Sequence, residues 1–111
     1  MTFRIQGDVI EFSNGHRAQL PAPVLHSLDL GQLLIVVLDP GPSRAMPENV
    51  YALNAEGRVV WRVQRFEFPR GRTPYTGAYE VAGELALFNQ SGVEAFIDRS
   101  TGRILRTELV R

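Results

Sequence analysis

Apolar positions in this chain recur at every second residue or in short unbroken runs, and most runs are bounded by glycine, asparagine or proline. The most regular stretch is Asn49 to Trp61, NVYALNAEGRVVW. Val50, Tyr51 and Leu53 lead to a polar corner ending in Gly57, and Val59, Val60 and Trp61 follow, which predicts two antiparallel strands joined by a tight turn. Glu94 to Leu105, EAFIDRSTGRIL, repeats the pattern: Phe96 and Ile97, then Asp98, a corner, Gly102, and Ile104 with Leu105.

Earlier in the chain, Asn14-Gly15 supplies the positive φ values of a type I′ turn, so Val9 to Phe12 and His16 to Leu20 are expected to pair, with Phe3 to Gln6 as a third strand. Pro21 and Pro23 mark a boundary, because proline cannot donate to a ladder. Leu33 to Leu38, LLIVVL, is continuously apolar and β-branched, the pattern of a strand covered on both faces. It is the expected centre of the sheet structure, and Gly31 and Pro40 leave no room there for a helix of useful length. PGPSRAMPE (40–48) and PRGRTP (69–74) are loops by composition, and Gly83 separates a further strand pair, Ala78 to Val81 and Glu84 to Asn89. No segment sustains 3.6-residue periodicity, so the expected fold is all-β. The predicted organisation is one domain, 1–111, with an N-terminal hairpin (1–20), a first meander (24–65) and a second meander (75–110).

Composition narrows the possibilities. Twelve basic and twelve acidic residues cancel, so overall charge favours neither nucleic acid nor a membrane surface as partner. Every basic residue except the two histidines is arginine, which reads as coding bias and weakens any inference from an arginine cluster. Cysteine is absent, so disulfides and thiolate metal sites are excluded. The N-terminus lacks an uninterrupted apolar signal core and no run approaches the ~20 residues of a membrane span, so a cytoplasmic location is the expectation.

The repeated meander, on the order of fifty residues per unit, has the period of propeller-type arrays. Tyr51, Ala52, Leu53, Asn54, Gly57, Val59, Val60 and Trp61 resemble a blade of the quinoprotein-type β-propellers. Asp98, Thr101, Gly102, Ile104 and Leu105 resemble the Asp-x-x-Thr-Gly form of the same blade, with Arg106 where the tryptophan would stand. The chain also resembles small uncharacterised bacterial all-β proteins. The resemblance implies blade-like meanders, two in number, packed as a sandwich or partly closed barrel, or completed into a ring by copies of the chain. It carries over no quinone-binding or metal-binding residue.

Candidate chemistry is sparse. His16 and His26 lie on different predicted strands and read as surface or edge histidines. Ser13, Ser27, Ser43, Ser91 and Ser100 sit in no Gly-x-Ser-x-Gly elbow, and no phosphate-binding glycine loop is present. Asp98 reads as an Asx-turn residue, and Trp61 as core. The remaining distinctive stretch is Arg65 to Tyr79, rich in guanidinium and aromatic side chains. Arg65, Phe68, Arg70, Arg72 and Tyr75 form the candidate interaction surface, against the alternative that the aromatics fold back to cap the sheet. The expectation is therefore a non-enzymatic protein-interaction module, self-association included, with no cofactor, nucleic acid or membrane partner. The alternative is a binder of a small ligand or carbohydrate.

Overall fold

The structure is a computed structural model that describes residues 1–42, 46–68 and 71–109. Among these residues the fold is all-β: three antiparallel sheets, with no helix and no closed barrel. The first sheet holds β1 (Phe3–Gln6), β2 (Val9–Phe12) and β3 (Arg17–Gln19) in the order β1-β2-β3. The second is the meander β4 (Val24–Asp29), β5 (Leu34–Leu38), β6 (Val50–Leu53), β7 (Val59–Arg62). The third is the meander β8 (Tyr75–Val81), β9 (Glu84–Asn89), β10 (Val93–Ile97), β11 (Ile104–Leu109). The turn signals named above fall between paired strands.

The unbroken run in β5 explains how the sheets stack. Ile35 and Val37 point into a core shared with the third sheet, alongside Ala52, Trp61, Ala78, Leu85, Leu87 and Ala95. Leu34, Val36 and Leu38 point the other way, into a core with Ile10, Phe12, Ala18 and Leu20 of the first sheet. All five residues of β5 are inaccessible to solvent, as a strand covered on both faces requires.

Two glycines set the distance between sheets. Gly57, at φ 77°, lies so close to the backbone of β3 that an added Cβ would stand 2.8 Å from the Arg17 carbonyl oxygen. Gly102, at φ 76°, does the same against the Trp61 ring, where a Cβ would meet Cε3 at 2.5 Å. Each corner glycine thus combines left-handed backbone with a contact that any side chain would block. Trp61 completes the second contact by donating Nε1–H to the Arg99 carbonyl at 2.6 Å. Asp98 forms the expected Asx turn, accepting from the Ser100 N–H at 2.8 Å.

A buried carboxamide ties the second and third sheets together. Asn49 Nδ2 donates to the carbonyls of Leu38 at 2.7 Å and Tyr75 at 2.9 Å, and its Oδ1 accepts the Tyr75 N–H at 2.8 Å.

The outermost faces are polar. On the first sheet Arg4 pairs with Glu11, beside Gln6, Arg17 and Gln19. On the third, the Arg106 guanidinium lies 3.9 Å from the centroid of the Phe96 ring and makes two bonds to Glu84 at 2.7 and 2.8 Å. Tyr79 O–H donates to Glu94 on the same face.

Two outcomes test this description. Asn49→Ala leaves three buried backbone groups without partners, each worth ~1–3 kcal/mol, so urea unfolding is expected to show a loss of at least about 3 kcal/mol. The second concerns acid. Hydrogen bonding from Arg106 holds Glu84 below its ordinary value of 4.5. A depressed carboxylate stabilises the fold above its unfolded pKa and ceases to do so as pH falls through the folded one. The stability gap between wild type and Glu84→Gln is therefore expected to be full at neutral pH and to close on acidification, as thermal melts across that range would show.

Candidate interaction surface

The segment after β7 crosses from the second sheet to the third, and its two ends are pinned. Val63 N–H donates to Val50 O at 2.9 Å, Gln64 N–H to Gly102 O at 3.0 Å, and Gly71 N–H to Phe68 O at 2.8 Å. Between these points the aromatics turn inward. Phe68 and Tyr75 are both core residues, packed edge to face with centroids 6.1 Å apart. Burial wins here because Phe68 packs into the core shared by the second and third sheets, and the Asn49 carboxamide fixes Tyr75 by its backbone. The Tyr75 hydroxyl is buried with no hydrogen-bond partner among the described residues, and burial, aided by the negative Glu48, pushes its pKa well up.

Arg72 is held rather than presented. Its Nη2 and Nε reach the two oxygens of Glu48 at 2.6 and 3.1 Å, and that bond raises the pKa of the guanidinium. Arg62 supports the same loop through Nε–H to the Glu48 carbonyl at 2.7 Å, with its guanidinium over the Tyr51 ring. Of the candidate surface, Arg65 is exposed, Arg72 is half-buried in its ion pair, Phe68 and Tyr75 are core, and Arg70 lies outside the described residues. Phe66, 37% exposed and with its ring tilted against Phe68 at a centroid distance of 5.0 Å, joins Arg65 at the surface.

The seam between the sheets carries a feature that pattern reading did not single out. A groove of about 560 Å³ lies on the seam between the second and third sheets, lined by Leu30, Gln32, Leu33, Val60, Arg99 and Ser100. Its walls are fixed. Trp61 binds the Arg99 carbonyl, while the Arg99 guanidinium reaches Glu80 Oε2 and the Gly83 carbonyl, each at 2.6 Å. Val60 is 45% exposed and Val59 52%, although both are aliphatic residues of an expected strand. A register shift between β6 and β7 at Ala52/Leu53 displaces the pair; the signal available beforehand was that Trp61, the next residue, must point inward. His26 lies on β4, with Nε2 2.8 Å from the Ala78 carbonyl. Among the described residues, no cluster of three or more His, Asp or Glu side chains is placed to hold a metal ion, and no helix is long and apolar enough to cross a membrane.

Residues 4–109 match the family model described as Domain of unknown function (DUF7957). No protein of curated function matches the sequence. Among solved structures, the fold is similar to the β-propeller-like BamB from Moraxella catarrhalis, with a TM-score of 0.68 at 12% identity over 97% of this chain. It is also similar to the computationally designed Ika8 protein, with a TM-score of 0.63 at 8% identity over 99% of this chain. The chain spans 32% of the first and 36% of the second, about a third of each. At these identities the likeness shows the fold alone: three propeller-blade-like sheets.

The packing of the crossing segment separates its residues by experiment. Tyr75→Ala opens the core between two sheets and is expected to cost ~3–5 kcal/mol, the range for large aromatic truncations. Arg65→Ala is expected to change stability by under ~0.5 kcal/mol, as exposed substitutions do. Parallel denaturant titrations of the two variants would reveal any departure.

Proposed function

We propose that this chain, which belongs to the DUF7957 family of domains of unknown function, is a non-enzymatic protein-interaction module. The observation that carries the reading is the groove on the seam between the second and third sheets, where Leu30, Leu33 and Val60 stay accessible on a frame held by Trp61, Gly102 and Arg99. A shallow apolar recess with a fixed polar rim suits one or two anchoring side chains of a partner, because the site needs no ordering on binding. Arg65 and Phe66, outside the groove lining, supply a second exposed cationic and aromatic surface. Reading residues 1–111 as one domain is supported by the two cores that share β5. The kinship with quinoprotein-type blades is supported by the way Trp61 docks on Gly102 of the following sheet.

A second reading has its own support. The groove volume, about 560 Å³, lies within the range of small-molecule sites, so a small ligand or carbohydrate is the alternative occupant. Val60→Glu places a charge at the groove wall, and as an exposed change it is expected to shift stability by under ~0.5 kcal/mol. Co-purification of wild type and variant from the source cell is expected to show a protein partner lost from the variant alone. Equal retention by both would overturn the groove as the interaction site. A rise in melting temperature of wild type, but not of Val60→Glu, with a small-molecule fraction of the cell extract would decide for the second reading.

A further inference from the structure

Among the described residues the first sheet has three strands, where the second and third have four each. In the second and third sheets the corner between the third and fourth strands begins at Asn54 or Asp98 and closes at Gly57 or Gly102, whose N–H returns to the Asn54 or Asp98 carbonyl. The Asn14-Gly15 corner between β2 and β3 holds the same place, with the Gly15 N–H bonded to the Phe12 carbonyl. β2 and β3 therefore correspond to β6 and β7, and β1 corresponds to β5 and β9. Nothing among the described residues corresponds to β4 and β8, the first strands, which lie beside each other in the two complete sheets.

The consequence is visible in burial and in hydrogen bonding. All of β5 and Leu85, Ala86 and Leu87 of β9 are sealed from solvent, whereas Phe3 and Ile5 of β1 remain half-exposed. Ser13 N–H donates to Thr2 O, so antiparallel alternation directs the Arg4 and Gln6 backbone groups to β2. The N–H and C=O groups of Phe3 and Ile5 then face the free edge. β4, which would flank an added strand as β8 flanks β4, presents Leu25 54% exposed.

The geometry points to strand addition: the free edge of β1 takes up, antiparallel, an extended segment of a partner protein with aliphatic side chains at alternate positions, in place of the missing first strand. Main-chain bonds to Phe3 and Ile5 supply the attachment, and the alternate side chains complete the core that Phe3 and Ile5 leave open. A folded second copy suits the slot poorly. Its outer-edge strands are the three-residue β3, with Arg17 and Gln19, the four-residue β7, which ends in exposed Arg62, and β11, with exposed Arg106, Thr107 and Glu108, each attached to its own sheet. The proposed surface is separate from the groove at Val60, so the two can fail independently.

The test uses the full chain and a synthetic peptide with the sequence of residues 22–30, APVLHSLDL, as surrogate first strand. Saturable binding by calorimetry is expected, absent for a scrambled peptide. Exchange of the Phe3 and Ile5 amides is expected to slow by about tenfold or more at saturation, because closed edge amides leave the fast-exchanging class. Ile5→Pro removes an edge donor at a position where proline is tolerated, and it is expected to abolish binding while Val60→Glu leaves it intact. Absence of binding to the wild type, or protection confined to β7 or β11, would overturn the proposal; the exchange map of the wild type decides even if Ile5→Pro fails to fold. A wild-type dimer by light scattering that Ile5→Pro converts to monomer would overturn it in favour of a second copy as occupant.

Discussion

One buried carboxamide governs how the second and third sheets meet. Asn49 is sealed from solvent and divides its bonds between the end of β5 and the first residue of β8, so it can be satisfied only when both are in place. Apolar faces alone would let two sheets slide over one another at small cost, because hydrophobic burial has no direction. A buried amide left unpaired costs far more than the slide saves. Two further contacts, Trp61 on Gly102 and Phe68 against Tyr75, are shape contacts that work in that one register. This is also why Tyr75 sits in the core: its backbone is the other half of the clasp.

The elements were largely readable from the chain, because each strand is bounded by a residue with its own physical reason to turn. Gly31, Gly57, Gly83 and Gly102 all carry positive φ at the expected corners. The doubly covered strand was readable from LLIVVL, since only burial on both faces suits an uninterrupted aliphatic run. What the pattern could not supply was which aromatics in Arg65 to Tyr79 look outward. That depends on the gap between two sheets far apart in sequence, and on an asparagine before β6 whose role is defined only by its distant partners. The N-terminal residues read as a hairpin with one added strand, and the structure makes of them three-quarters of a blade-like sheet. Without the other two sheets as templates, nothing in those residues marks the missing strand.

The polar outer faces bear on how copies of the chain could associate. Arg106 occupies the position that Trp61 holds in the preceding sheet. Trp61 faces a neighbour and is buried against Gly102, whereas Arg106 covers Phe96 and pairs with Glu84 at the surface. The same two-sided strand pattern therefore ends in an aromatic where another sheet follows and in a cation where its outer face meets solvent among the described residues. Terminal units of stacked repeats need such a polar face for solubility. Closing a ring by laying the first sheet of one copy on the third sheet of the next would bury Arg4, Glu11, Arg106 and Glu84 together, and desolvating those charges costs more than their pairing returns. Association through the sheet edges carries no such cost, because an edge offers unmatched main-chain groups that a new strand satisfies. Charge opposes the stacking of copies face on face; it does not oppose an added strand at the edge of β1.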